Sequence, residues 1–138
     1  MRQETTRLVV RTPGQGLHDY TEVICRWVAD SGIVTGLLTV FIRHTSASLL
    51  IQENAAPAAR QDLERYFERI APEDGPYEHD DEGPDDMPAH LRSALTATHV
   101  SIPVQHGRPV LGTWQGIFLF EHRRNTPERQ IALHLIGE

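Results

Sequence analysis

Three stretches of this chain bring together side chains that can hold or transform a polar ligand. The first is Arg43-His44-Thr45-Ser46-Ala47-Ser48. It follows an apolar run, so the loss of pattern sets His44, Thr45, Ser46 and Ser48 at a strand end. Hydroxyls and backbone N–H groups in such a turn can hold phosphate oxygens, or can simply satisfy their own backbone. Asn54 follows within reach of the same strand. The second stretch runs from Tyr77 to His90 and holds two imidazoles among carboxylates. His79, Asp80 and His90 form a candidate set for a divalent cation: carboxylates suit Mg²⁺, imidazole suits Zn²⁺. The spacing matches no standard zinc signature, and a solvated acidic loop is the alternative. Asp86 and His90 are candidates for chemistry. His90 is expected in the first turn of a helix, where the helix dipole favours the neutral imidazole. The third stretch is Gly107–Arg123. Gly112 and Gly116 flank Thr113-Trp114-Gln115, and glycines inside a strand suggest a bulge or a close backbone approach. Trp114 offers a stacking face, Gln115 a donor and an acceptor, and Arg108 and Arg123 can pair with phosphates. A tryptophan packed on the sheet or on another subunit is the alternative there.

These segments need elements to position them. Thr5–Thr12 and Val34–Arg43 are rich in β-branched residues and predict strands, the second apolar throughout and so expected to be covered on both faces. Ala47–Gln52 predicts a strand. Leu17, Tyr20, Val23, Ile24, Trp27 and Val28 fall at helical spacing, with Gly32 as the stop. Ala58–Ile70 predicts a helix with Leu63, Tyr66, Phe67 and Ile70 on one face, and Ala71–Asp85 a loop. A further helix is expected from Asp86, as cap, to about Thr98. Val100–Val104, Val110–Glu121 and Gln130–Ile136 complete the chain as strands. Strands cluster at the end instead of alternating with helices, so the expected fold is a single α+β domain over residues 1–138, mostly antiparallel, with about three helices.

Composition narrows the partners. The 138 residues are 39% hydrophobic and 23% charged, ordinary for a globular chain. Net charge is −6 with 13 basic residues, and eight of the acidic ones crowd Glu73–Asp86. A negative field of this kind disfavours nonspecific nucleic-acid binding. No apolar run approaches the ~20 residues of a membrane span, and the first residues lack the apolar core of a signal peptide, so a cytoplasmic location is expected. A lone cysteine, Cys25, sits in an amphipathic stretch and is expected to be a buried core thiol. His18, His99, His106 and His134 read as structural or surface residues.

Taken together, the three stretches resemble the YjbQ-like family, also described as secondary thiamine-phosphate synthases. The resemblance spans nearly the whole chain. Its most specific part is Ser101–Ile117 with Gly112-Thr-Trp-Gln-Gly116, supported by His44-Thr-Ser-Ala-Ser48, Asp85-Asp-Met-Pro-Ala-His90 and Glu121-His122-Arg123. It implies a compact α+β fold, a homotrimer and a cleft lined by the motif residues. It also implies an activity, in some members a side activity, that joins a pyrimidine pyrophosphate to a thiazole phosphate and releases pyrophosphate. His44, His90 or His122 would then orient phosphates or move protons, and Arg108 or Arg123, hydroxyls and Mg²⁺ on carboxylates would neutralise the leaving group. Two rivals stand beside it: a metal-dependent hydrolase of a phosphorylated metabolite, and a non-catalytic trimeric protein that binds a metabolite.

Overall fold

The computed structural model describes every residue, Met1–Glu138. In chain order the elements are β1 (Arg2–Val10), β2 (Gly16–Asp19), α1 (Thr21–Ser31), β3 (Gly36–Ile42), β4 (Ala47–Glu53), α2 (Pro57–Ile70), α3 (Asp86–Leu95), β5 (His99–Gln105), β6 (Arg108–Pro109), β7 (Gln115–Glu121) and β8 (Arg129–Gly137). A five-stranded sheet has the order β1-β8-β3-β5-β6 and a three-stranded sheet the order β2-β7-β4. Every strand pair is antiparallel. The domain is α+β with three helices, as the element pattern predicts.

Alternation builds the core. Leu38, Val40 and Ile42 of β3, Ile102 and Val104 of β5, and Ile131, Leu133 and Leu135 of β8 point from the large sheet toward Leu49, Ile117 and Leu119 of the small one. Ile24 and Val28 of α1 close that layer. On the other face of the small sheet, Leu63 and Phe67 of α2 pack on Leu17, Phe118 and Phe120. Tyr66 and Ile70, which the helical spacing sets on the same apolar face, are nearly half exposed.

Five expectations change here. Leu17–Asp19 belongs to β2, not to the first helix: Gly16 takes a positive φ of 110°, and Asp19 Oδ1 accepts the N–H and hydroxyl of Thr21, which starts α1 there. β3 is not covered on both faces, since Leu37 and Phe41 stand about 44% and 43% exposed on the open side of the large sheet. The strand expected over Val110–Glu121 splits, because Gly112–Gln115 forms a turn in which Gln115 N donates to Gly112 O at 3.0 Å. Asp85 rather than Asp86 precedes α3, and its carboxylate bonds Arg123 and Arg124 instead of capping the helix. Cys25 is half-buried and not the buried core thiol expected, with its thiol pushed up first by burial and then by Asp19.

Candidate functional site

A cleft of about 320 Å³ opens where the turn between β3 and β4 meets α3. His44, Thr45 and Ser48 come from the turn, and His90, Ser93 and Ala94 from the helix. Their meeting is fixed by backbone: Leu49 N donates to Ala97 O at 2.7 Å and Ile42 N to Thr98 O at 2.9 Å, so the chain leaving α3 is stitched to β4 and β3.

The polar groups of the cleft have defined roles. His44 Nε2 accepts the N–H of Gln130 at 2.8 Å. With that lone pair occupied, the neutral ring carries its proton on Nδ1 and serves as a donor, not as a base. Burial first, then the charge of Arg129, lowers its pKa and keeps it neutral. Ser48 Oγ lies 2.9 Å from Nε2 of His122 and 2.5 Å from Thr96 Oγ1, and Thr96 in turn donates to Arg92 O. His122 is fully buried against Phe120, with ring centroids 4.3 Å apart. Burial, helped by Arg92 and Arg129, drives its pKa from 6.5 to about 3. A histidine held neutral this firmly is a poor general base at neutral pH; it fixes the Ser48 hydroxyl. Its Nδ1 has no partner.

Beside the cleft, and sharing His90 with it, lies a cluster of three donors. His79 Nε2 is 2.9 Å from Asp86 Oδ2, His90 Nε2 is 3.3 Å from the same oxygen, and the three ligand atoms lie within 4.8 Å of one another. The i,i+4 spacing of Asp86 and His90 puts both on one face of α3. Arg123 Nη1 holds the other oxygen, Oδ1, at 2.5 Å, and Arg123 also bonds Asp85 Oδ2 and the carbonyl of Glu82. Burial pushes the Asp85 carboxyl up, but hydrogen bonds from Arg124 N and Arg123 outweigh it and hold it low. His79 is raised, chiefly by its bond to Asp86. Thus Arg123 anchors the acidic loop on Glu121-His122-Arg123. Asp80, set with His79 and His90 by the sequence, is exposed and lies outside this cluster; Asp86 stands in its place. His90 is the fifth residue of α3, beyond the first turn where the dipole acts, so that argument for its neutrality falls away.

The remaining candidates go elsewhere. Asn54 Nδ2 bonds the carbonyls of Thr113 and Gln115, Asn54 N donates to Trp114 O, and Gly112 N donates to Gln115 Oε1 at 2.7 Å. The result is a braced turn that presents Trp114 at 63% exposure. Gly116 is where the close approach occurs: a Cβ there would stand about 3.0–3.2 Å from Phe118, Asn54 and Thr21. In the β4–β7 register Ala47 faces Glu121 and Glu53 faces Gln115. The Trp114 turn is therefore six residues, roughly 20 Å, from the His44 end. Arg108 sits on β6 at the edge of the large sheet. Ser46 contributes its carbonyl to His122 N and Arg129, not its hydroxyl. A single subunit joins the first two stretches to the His122-Arg123 end of the third and leaves the Trp114 turn apart.

Sequence reasoning missed the buried pair behind the turn. Arg129 bonds both carboxylate oxygens of Glu121, at 2.8 and 2.5 Å, and each residue is almost fully buried. The signal was present: Glu121 continues the inward alternation of Ile117 and Leu119, and Arg129 that of Ile131 and Leu133. Two charges in phase with a core stripe predict each other. Arg92 and Thr96 were also missed; neither carries a sequence mark beyond its place within α3 or just after it.

No helix is long and apolar enough to cross a membrane. Comparison with known proteins agrees with the geometry. Residues 6–138 match the family model described as UPF0047 protein YjbQ-like. The UPF0047 protein sll1880 of Synechocystis sp. is 53% identical over 138 residues, covering 99% of this chain and 94% of its own. YjbQ of Escherichia coli O157:H7 is 46% identical over 132 residues, 95% and 96% of the two chains. Among solved structures, a YbjQ-like protein of unknown function from Sulfolobus solfataricus superposes with a TM-score of 0.91 at 27% identity over 99% of both chains. A conserved hypothetical protein from Thermus thermophilus gives 0.85 at 34% identity over 95% and 99%. The chain belongs to the YjbQ-like UPF0047 family.

Proposed function

We propose that this chain is a small-molecule enzyme that acts on a phosphorylated or pyrophosphorylated substrate in the cleft between the β3–β4 turn and α3. The reaction proposed is of the thiamine-phosphate synthase type: a pyrimidine pyrophosphate joins a thiazole phosphate and pyrophosphate leaves. The observation that carries this reading is the His79–Asp86–His90 donor set adjoining the hydroxyl-lined cleft through His90. Two imidazoles and one carboxylate suit Zn²⁺ or a similar transition ion better than Mg²⁺, which prefers oxygen throughout. A divalent ion held there would supply positive charge for a departing pyrophosphate.

The chain's own residues do the rest of the work in this reading. His44 Nδ1–H, Thr45 and Ser48 orient phosphate oxygens by donation. Arg123, paired with Asp85 and Asp86, positions the carboxylate and is not free to grip a phosphate as its sequence position suggests. Trp114 is too far along the β4–β7 ladder to stack on a ring in its own cleft. Its face would serve only a neighbouring subunit's cleft, which fits the homotrimer implied by the resemblance. The open side of the large sheet, with Leu37 and Phe41 exposed, is apolar surface that an assembly would cover.

The same donor set supports a second reading. Three protein ligands leave a coordination position for water, the arrangement of a metal-dependent hydrolase acting on a phosphorylated metabolite. Metal content of the purified protein, together with assays for two-substrate condensation and for single-ester hydrolysis, separates the two. Ligand-induced stabilisation without turnover would favour a metabolite-binding protein instead. In either enzyme, His90→Ala is expected to strip the bound metal and lower turnover by about 100-fold or more. Full activity and metal content in that variant would remove His90 from the reading. Metal affinity is expected to fall with falling pH, because protons compete for His79, whose pKa lies above the usual 6.5.

A further inference from the structure

Arg92 is a buried guanidinium that no carboxylate touches, although Glu68 and Glu73 oppose its charge from farther off. It is only 7% exposed, forms no ion pair, and spends one N–H of Nη2 on the carbonyl of Ala71 at 2.9 Å. Its Nε is buried with no partner. A buried guanidinium N–H left in this state is costly unless something supplies the missing acceptor. Arg92 lines a separate cavity of about 200 Å³ between α2 and the β2–β7 edge. Gln15, Gln61, Glu64, Arg65 and Glu68 also reach it, and it shares no lining residue with the His44–His90 cleft. At ~30 Å³ per water the space holds roughly six waters, or one compact anion.

The lining is mixed, and the mixture is selective. Arg92 and Arg65 are donors only, whereas Gln15 spends Nε2 on the carbonyl of His122 at 2.8 Å, and Gln15 and Gln61 each carry a neutral amide oxygen as acceptor. Glu64 already accepts the N–H of Leu17 at 3.1 Å and keeps acceptor capacity to spare. Glu121 is spent on Arg129. Glu68, on α2, is the carboxylate with no hydrogen bond of its own and so the strongest free acceptor at the cavity. A fully deprotonated anion would meet Arg92 well but would face the Glu68 and Glu64 carboxylates without a proton to offer. A protonated oxyanion satisfies both sides: its bare oxygens accept from the guanidinium while its O–H donates to a carboxylate.

We propose that this cavity is a binding site for a protonated phosphate group, with Arg92 as its main donor and Glu68 as the acceptor that excludes unprotonated oxyanions. The site is distinct from the cleft, so a failure here leaves the cleft's chemistry untouched. Both inorganic phosphate and the phosphoryl end of a larger molecule share this chemistry.

The test titrates inorganic phosphate, pyrophosphate and sulfate against the full chain at matched ionic strength, read by calorimetry and by thermal unfolding. Phosphate is expected to bind saturably and raise Tm, and sulfate to do neither. Tighter binding of pyrophosphate than of phosphate, with the same dependence on Arg92, identifies a larger phosphoryl compound as the occupant; the reverse order identifies free phosphate. Arg92→Met keeps the length of the side chain and is expected to weaken phosphate at least about tenfold. Glu68→Gln lies on the outer helix and tests the site even if Arg92→Met does not fold. It is expected to weaken phosphate and to admit sulfate, reducing the discrimination between them. Equal responses to phosphate and sulfate in the wild type, no saturable binding of either phosphate species, or selectivity unchanged in Glu68→Gln would overturn the proposal.

Discussion

Replacing Arg129 by Met is expected to destabilise the fold by about 3–5 kcal/mol, because it leaves the Glu121 carboxylate buried without its partner. Both carboxylate oxygens of Glu121 bind the guanidinium, and neither side chain reaches water. Against a typical total of ~5–15 kcal/mol, a loss of this size removes a large share of the stability. Denaturant unfolding at neutral pH measures it. The double variant Glu121→Leu/Arg129→Met separates the cost of stranding a charge from the worth of the pair: it is expected to recover most of the loss. A double variant as unstable as Arg129→Met alone would show that the pair itself, through the Ser46 carbonyl it also holds, carries the stability. The effect reaches the cleft as well. Arg129 helps keep His44 neutral, so its removal is expected to raise the His44 pKa, visible as a shifted imidazole titration by NMR.

His122 predicts an acid limb in the stability curve. Its pKa falls from 6.5 to about 3 in the fold. The neutral form is the one the fold accepts, so above pH 6.5 folding carries no protonation cost. Between 6.5 and 3 the unfolded chain binds a proton that the folded chain refuses, and stability declines as pH falls. At ~1.4 kcal/mol per pH unit, the loss approaches about 4 kcal/mol near pH 3. His122→Phe preserves the stacking on Phe120 but forfeits the bond to Ser48, worth ~1 kcal/mol. The variant is therefore expected to be the less stable protein at pH 7 and to lose less stability on acidification, so that the two curves converge and cross. Parallel curves from pH 7 to 4 would mean that another group sets the acid limb. In the wild type, the His122 resonances are expected to stay at their neutral positions down to about pH 4.

The strands β1, β3, β4, β5 and β8 and the helix α2 were legible because each carries its own period. Leu38, Val40 and Ile42 alternate, and Leu63 and Phe67 recur at four residues. The antiparallel α+β class followed from their order. The motifs were legible too: the histidine-bearing turn, the acidic loop ending on His90 and the Gly112–Gly116 segment suffice to point to the family. β2 was hidden, since four residues beginning at a glycine cannot outvote the helical spacing that follows them. The bare face of β3 was equally hidden, because a run apolar on both sides looks the same whether the second cover is this chain or another.

Residue types and periods are local properties, and the sequence by itself determined those: the elements, the family and the inventory of groups able to do chemistry. Which groups meet is a property of sheet register, and only the tertiary structure decided it. The β4–β7 register sends the Trp114 turn to one end of the strand pair and the Ser48–His122 contact to the other. The crossing of α3 over β4 gives His90 to the His44 cleft and to the Asp86 cluster at once. Charge state was likewise beyond the sequence. Arg123 and Arg92 are the same residue type, yet one is paired with two aspartates and the other is buried with no carboxylate in contact. Desolvation and partner distance set that difference, and both exist only once distant segments have packed.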